Sequence, residues 1–264
     1  MLRALEHIRR MRGGAQAHLM RCSDDRYYVV KFQNNPQHPR ILVNELLGTR
    51  LAARIGLPTA QVAVIQVSQE LIGMTAELVI QLGTGRLPCR PGFQFGSGYP
   101  GNPAEVAVHD FLPDELLCEV ENVAGFAGML VFDKWTCNTN GRQVIFLREQ
   151  GRSKYQAVMI DQGFCFNAGE WNFPDAPLRG LYSRQCVYDG VRGMGSFEAW
   201  LDRMERVSET VVDTISKEIP SEWYEGAQDE LYRMLEHLLR RRKRVPDLLA
   251  DARRSYRQPF PNWM

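Results

Sequence analysis

Two short stretches, Asp133-Lys134-Trp135-Thr136-Cys137-Asn138 and Met159-Ile160-Asp161-Gln162-Gly163, limit what this chain can become more than any other part. The first sets a carboxylate five residues ahead of an amide, and the second ends an apolar strand in Asp-x-Gly. Between them, Gln143–Leu147, the polar turn Glu149–Ser153 and Tyr155–Ile160 read as a β-hairpin. A hairpin returns to its origin, so Asn138 and Asp161 are expected at one end with Asp133 close by. An acid, an amide and a second acid converging in this way are parts that a phosphoryl-transfer site requires.

Upstream lies a candidate pair for the same purpose. Lys31 closes the run Tyr27-Tyr28-Val29-Val30-Lys31-Phe32, where its stem can pack on apolar neighbours while the ammonium reaches phosphate. Glu45 lies in an expected helix, about Pro39 to Ile55, marked by Val43, Leu47, Leu51 and Ile55 and stopped by Gly56. Gly48, Thr49 and Ala52 leave room beside it for another stretch of chain. A helical glutamate anchoring a strand lysine is one of the pairings a kinase assembles. Gly13-Gly14-Ala15-Gln16 separates two expected strands, and glycines there let backbone N–H groups approach a phosphate closely.

Within the second half, Val123, Phe126, Ala127, Leu130 and Val131 mark a helix running into Asp133, which could accept the proton of an attacking hydroxyl. Asn138 and Asp161 suit Mg²⁺, which takes few protein oxygens together with phosphates and water. Asn140 competes with Asn138, although Asn140-Gly141 is also a common turn dipeptide.

Composition narrows the field. A formal net charge of +1 over 264 residues gives no general pull toward nucleic acid or an anionic surface. The cysteines at 22, 89, 118, 137, 165 and 186 follow no metal or disulfide spacing and suit a reducing cytoplasm. No apolar run approaches the ~20 residues of a membrane span, and the first residues lack the apolar centre of a signal peptide. The five histidines form no HExxH pattern, which disfavours a zinc enzyme.

Several segments carry weaker expectations. Residues 83–104, rich in Gly and Pro, read as an irregular loop, and Gly96-Ser97-Gly98-Tyr99-Pro100-Gly101 is rejected as a dinucleotide fingerprint because no strand–turn–helix surrounds it. Val106–Phe111 reads as a buried strand leading into Leu112-Pro113, a crossing point between two lobes. The aromatics of Phe164–Pro174 either form a docking surface or pack inward. Arg240-Arg241-Arg242-Lys243-Arg244 reads as a solvated helix face. Helical periodicity spans Trp200–Ile215 and returns at Leu231–Leu239.

Across residues 10–170 the sequence resembles the HipA-like kinase family, a bacterial branch of the protein-kinase-like superfamily related to phosphatidylinositol 3/4-kinases. Gly14-Ala15-Gln16 is similar to the family's phosphate loop, and Asn44-Glu45 with Leu51-Ala52 and Gly56-Leu57-Pro58 to its helix motif. Asp133 to Asn138 is similar to its catalytic D-x-x-x-x-N, and Asp161 to its metal-binding aspartate. The resemblance implies that Lys31 binds ATP phosphates and that Val108–Leu112, with His109, Asp110 and Phe111, is the hinge against adenine. His18 departs from the lysine usual in the phosphate-loop signature, and Phe132 and Gln162 replace the H-R-D and D-F-G contexts of ordinary protein kinases.

The expected fold is therefore α+β and two-lobed. Residues 1–111 would form a twisted antiparallel sheet with one helix, and residues 112–264 a mainly helical lobe, with ATP and Mg²⁺ between them. The expected activity is transfer of the γ-phosphoryl group to a hydroxyl of a protein serine or threonine. A small-molecule or lipid acceptor, and a nucleotide-binding pseudokinase working with a regulatory partner protein, are the alternatives.

Overall fold

The computed structural model describes residues 1–117, 120–148 and 151–264, so Cys118 and the Glu149-Gln150 part of the expected turn lie outside the described residues. The chain opens with β1 (Leu2–Arg10), β2 (His18–Cys22) and β3 (Tyr27–Lys31). Asp25, in the left-handed region at φ 58°, turns β2 into β3, while Arg26 N donates to Asp24 Oδ1 at 3.2 Å. Next come α1 (Ile41–Arg54), β4 (Val62–Val67), α2 (Gln69–Met74), the two-stranded ribbon of β5 (Val79–Leu82) with β6 (Gly85–Pro88), and β7 (Gly92–Gly98).

Strands β1-β2-β3-β7-β4 close into a barrel in that order. The twisted antiparallel sheet expected for this part is thus found closed on itself, with one parallel pairing among antiparallel ones. β4 pairs in parallel with β1 at Leu2–Ile65 and Arg3–Gln66, which joins the two edges. The expected loop at 83–104 is corrected, since β7 is a central strand hydrogen-bonded to both β3 and β4. Its glycines are small because the interior is full: a Cβ on Gly96 would lie 2.1 Å from Ile65 Cδ1. The rejected glycine motif therefore begins inside a strand. A second helix, α2, adds to the single one expected, capped by Ser68 accepting from Leu71 N.

Nearly every turn of α1 is buried, as suits a helix enclosed on all sides. Gly56 ends it at φ 80°, with Leu57 N donating to Ala52 O at 3.0 Å. Residues 106–111 form only the two-residue β8 (Val108–His109), and Phe111 is exposed, so the buried strand expected there is not found.

After α3 (Asp114–Leu117), every residue of α4 (Gly125–Trp135) is buried. The expected hairpin follows as β9 (Gln143–Leu147) and β10 (Gln156–Ile160), pairing Gln143 with Ile160, and β8 joins β9 on its other side. The expected Trp200–Ile215 periodicity is divided between α5 (Glu198–Glu205) and α6 (Glu209–Ser216), where Ser208 caps the second helix. The chain finishes with α7 (Gln228–Arg241) and α8 (Val245–Arg254).

The basic run is not a free solvated face. Arg241 is buried and donates to Lys134 O, Phe173 O and Pro174 O, while Arg242 donates to Glu205 O and Val207 O. The aromatics after Asp161 turn inward, with Phe166 and Trp171 buried. Cys22, Cys89, Cys137, Cys165 and Cys186 are free thiols. No described helix is long and apolar enough to cross a membrane.

A candidate nucleotide cleft

Lys31 ends β3 opposite Phe95 of β7, and its ammonium meets two carboxylates. Nζ bonds Glu45 Oε1 and lies 2.8 Å from Asp161 Oδ1. Glu45 also accepts from the backbone N–H of Gln162 and of Gly163, each at 3.0 Å. Burial pushes the Glu45 carboxyl up from the carboxylate range and Lys31 pulls it down. Three donors converging on it favour the ionised form. Burial acts to raise Asp161 too, but Lys31 overrides it and holds it at about 2. The Lys31 pKa would fall by burial alone, and the two carboxylates raise it instead.

The turn carrying Asp161 is shaped to fit α1. Asp161 itself sits at φ 60°, a conformation that costs a non-glycine residue of order 1–3 kcal/mol. A Cβ on Gly163 would come within 2.6 Å of Ile41 Cγ1 and 3.0 Å of Glu45 Oε1. The room left by Gly48 is taken by Gln162, whose Cβ would be 2.8 Å from an added methyl. Asn44 Nδ2 lies within hydrogen-bond reach of the carbonyls of Gly163, Cys165 and Ala168 at 2.8–2.9 Å, and Asn44 Oδ1 accepts from Trp171 Nε1.

Above these groups is a cavity of about 410 Å³. Lys31, Glu45 and Asp161 line it, together with Gly13, Gly14 and Ala15. Val29, Ala60, Ile145 and Met159 give it an apolar interior. Gln16 is turned away: its side chain pairs with the backbone of Gln81, donating to the carbonyl at 2.8 Å and accepting from the N–H at 2.7 Å. His18 is fully buried behind the loop, with its ring 3.1 Å from that of His7.

The structure does not bring every expected residue to this cavity. Val108 and Tyr99 line it, whereas His109, Asp110, Phe111 and Leu112 do not. His109 is engaged in the β8–β9 ladder, and Phe111 stands 63% exposed with Arg184 over its ring.

Asp133 is also set apart, because its side chain is wholly enclosed. Arg142 donates to Asp133 Oδ2 through Nε at 2.9 Å and to Oδ1 through Nη2 at 2.5 Å. Asn138 Nδ2 donates to the same Oδ1 at 3.0 Å, and Asn138 Oδ1 accepts from Asn140 N at 3.1 Å. Both ends of the Asn138 amide are thereby occupied. The remaining Arg142 nitrogen, Nη1, reaches Ile160 O and Gln162 Oε1, each at 2.9 Å. Sequence reasoning missed Arg142. The signal was a lone arginine just before the apolar strand Val144-Ile145-Phe146, beside a buried acid that needed a cation.

From the same loop, Asn140 and Gln143 do line the cavity. Among the described residues no group of three or more His, Cys, Asp or Glu side chains could hold a metal. Asp161, ionised and partly open, is the carboxylate that fits an Mg²⁺ shared with phosphates and water.

Known structures share this arrangement of elements. A Helicobacter pylori proinflammatory kinase, CtkA, superposes with a TM-score of 0.58 at 14% identity, over 94% of this chain and 95% of that one. The Golgi casein kinase gives 0.54 at 11% identity, over 97% and 75%. The Shewanella oneidensis HipA of a toxin–antitoxin system, crystallised with HipB and operator DNA, gives 0.51 at 13% identity, over 95% and 68%. At such identities the likeness concerns the fold, which is mixed α/β and kinase-like. Among curated proteins none matches the sequence. The family model described as HipA-like kinase matches residues 5–249, and the chain belongs to that family.

Proposed function

We propose that the cleft binds ATP with Mg²⁺ and that the chain transfers the γ-phosphoryl group to a hydroxyl, with protein serine or threonine as the acceptor class. The observation that carries this reading is Lys31 bonded to both Glu45 and Asp161 on the wall of the 410 Å³ cavity. It gathers residues from β3, α1 and the end of β10 around one space. Val29, Ala60, Ile145 and Met159 suit the faces of a purine, and the Gly13–Ala15 turn suits the phosphates. Lys31 would hold phosphate oxygens, fixed in direction by Glu45, and Asp161 would hold Mg²⁺. The bound ion supplies neutralisation of phosphate charge.

In this reading the nucleotide lies between an N-terminal lobe, residues 1–111, and a C-terminal lobe, residues 112–264. The pairing of β8 with β9 favours moving that boundary into 99–107. A second reading, a nucleotide-binding regulatory module without turnover, is favoured by the enclosure of Asp133.

The two separate by experiment. Mg·ATP at a hundredfold excess over Kd should stabilise the protein by about 2.7 kcal/mol, and Lys31→Met and Asp161→Asn should each weaken that response. ATP consumption or autophosphorylation above the Asp161→Asn background supports the transferase. Stabilisation without turnover supports the regulatory module, and no stabilisation at all rejects both.

A further inference from the structure

The proton released during phosphoryl transfer needs a place to go. The acceptor O–H bond breaks as its oxygen bonds to phosphorus, and the bridging P–O bond breaks to leave the nucleoside diphosphate. A side chain that takes this proton must lie within hydrogen-bond reach of the hydroxyl, directly or through one water. Asp133 has no such reach. Its carboxylate is shut off from solvent and already accepts from Arg142 twice and from Asn138 once.

The loop from Asp133 to Gln143 instead divides into two faces. Asp133, Asn138 and Arg142 point inward and are buried. Asn140 and Gln143 are exposed and line the cavity with Lys31 and Asp161. Both are amides, which donate and accept hydrogen bonds without taking up a proton near neutral pH. The only carboxylates among the described cavity-lining residues are Glu45 and Asp161, and Lys31 bonds both. No histidine or cysteine lines the cavity among them.

We infer that Asn140 occupies the place from which a general base would act in this cleft, and that Asp133 is a positioning residue working through Arg142. The inference rests on the nucleotide reading above and deepens it. Arg142 links the end of α4 to Ile160 O and Gln162 Oε1, one residue on either side of Asp161. The Asp133–Arg142 pair thus fixes where the Asp161 carboxylate stands and takes no part in proton transfer. In the protein as it stands, solvent receives the proton, so transfer is slow. Asn140→Asp exchanges the amide NH2 for an oxygen, giving a carboxylate of the same shape in the cavity lining, and supplies the missing acceptor.

The test compares the full chain with Asn140→Asp and Asp133→Asn, measuring Mg·ATP binding by calorimetry, and ATP consumption and autophosphorylation from pH 5 to 9. Asn140→Asp is expected to retain Mg·ATP binding and to raise transfer about 10²-fold, within the ordinary range for a general base. Its pH profile should gain an acid limb where the new carboxyl protonates. Asp133→Asn is expected to lower the thermal midpoint and to leave the shape of the pH profile unaltered. The inference is overturned if Asn140→Asp binds nucleotide without faster transfer, or only tightens Mg²⁺ binding. Loss of turnover in Asp133→Asn, with midpoint and nucleotide affinity intact, also overturns it. A parent protein that binds no Mg·ATP removes the nucleotide reading itself, and this inference with it.

Discussion

Lys31 Nζ stands 2.8 Å from Asp161 Oδ1 although 130 positions separate the two in sequence. With Glu45 on its other side, the ammonium is the sole cation among the described cavity residues that bonds both acids. Removing it leaves two carboxylates facing each other with little water. Lys31→Met should therefore cost about 3–5 kcal/mol of stability, the usual penalty for breaking a buried pair from one side. Urea unfolding at pH 7 measures it, and a loss below about 1 kcal/mol would contradict the assignment.

A similar argument applies to the enclosed pair in α4 and the following loop. Arg142→Met strands Asp133 without a counter-charge and should lose about 3–5 kcal/mol. Asp133→Leu added to Arg142→Met should recover much of that loss, because apolar groups of similar size satisfy such a site without desolvation cost. A double variant as unstable as the single one would show that the hydrogen bonds to Ile160 and Gln162, rather than the charge pair, dominate.

Asn44 holds together the segment after Asp161. Truncation in Asn44→Ala leaves Trp171 Nε1 and the carbonyls of Gly163, Cys165 and Ala168 without this partner. Each unmatched buried group costs about 1–3 kcal/mol, so the variant should lose at least about 2 kcal/mol. Limited proteolysis should then cut within residues 163–172, which the parent protein protects.

Burial lowers the His18 pKa to about 4, and the neighbouring His7 and Arg10 add to the effect. The imidazole is thus neutral in the fold and binds its proton only in the unfolded chain between about 6.5 and 4. Stability should be full above pH 6.5 and decline as pH falls toward 4, by about 3 kcal/mol from this group. Denaturant titrations at pH 7, 5.5 and 4 should show that decline, and His18→Gln should flatten it. The same dry setting explains why histidine, not a lysine, can stand here.

Much of this was legible along the chain. The β9–β10 hairpin, α1, and the order Lys31, Glu45, Asp161 follow from periodicity and local spacing, which are properties of contiguous residues. The strand β7 was not, because Gly92, Gly96 and Gly98 look like a loop until Ile65, from another strand, is seen to fill the space above Gly96. The fate of Asp133 was hidden for a related reason. Whether a carboxylate faces a cleft or a guanidinium depends on how the loop between α4 and β9 folds Arg142 back onto Asp133. Val108–Leu112 was placed at the hinge by resemblance; Val108 lines the cavity, whereas His109, paired with Phe146 of β9, and the three residues after it do not.

Asn44 and Glu45 together tether α1 to residues 162–171 by side chain and backbone. Swinging that helix outward would tear away the whole anchorage at once, exposing Trp171 and emptying the site of its glutamate. Graded control by helix displacement is therefore an expensive option for this molecule. The Gly13–Ala15 turn across the cavity is held more lightly, by Gln16 N on Gly13 O at 3.2 Å and Asn35 Nδ2 on Ala15 O at 2.9 Å.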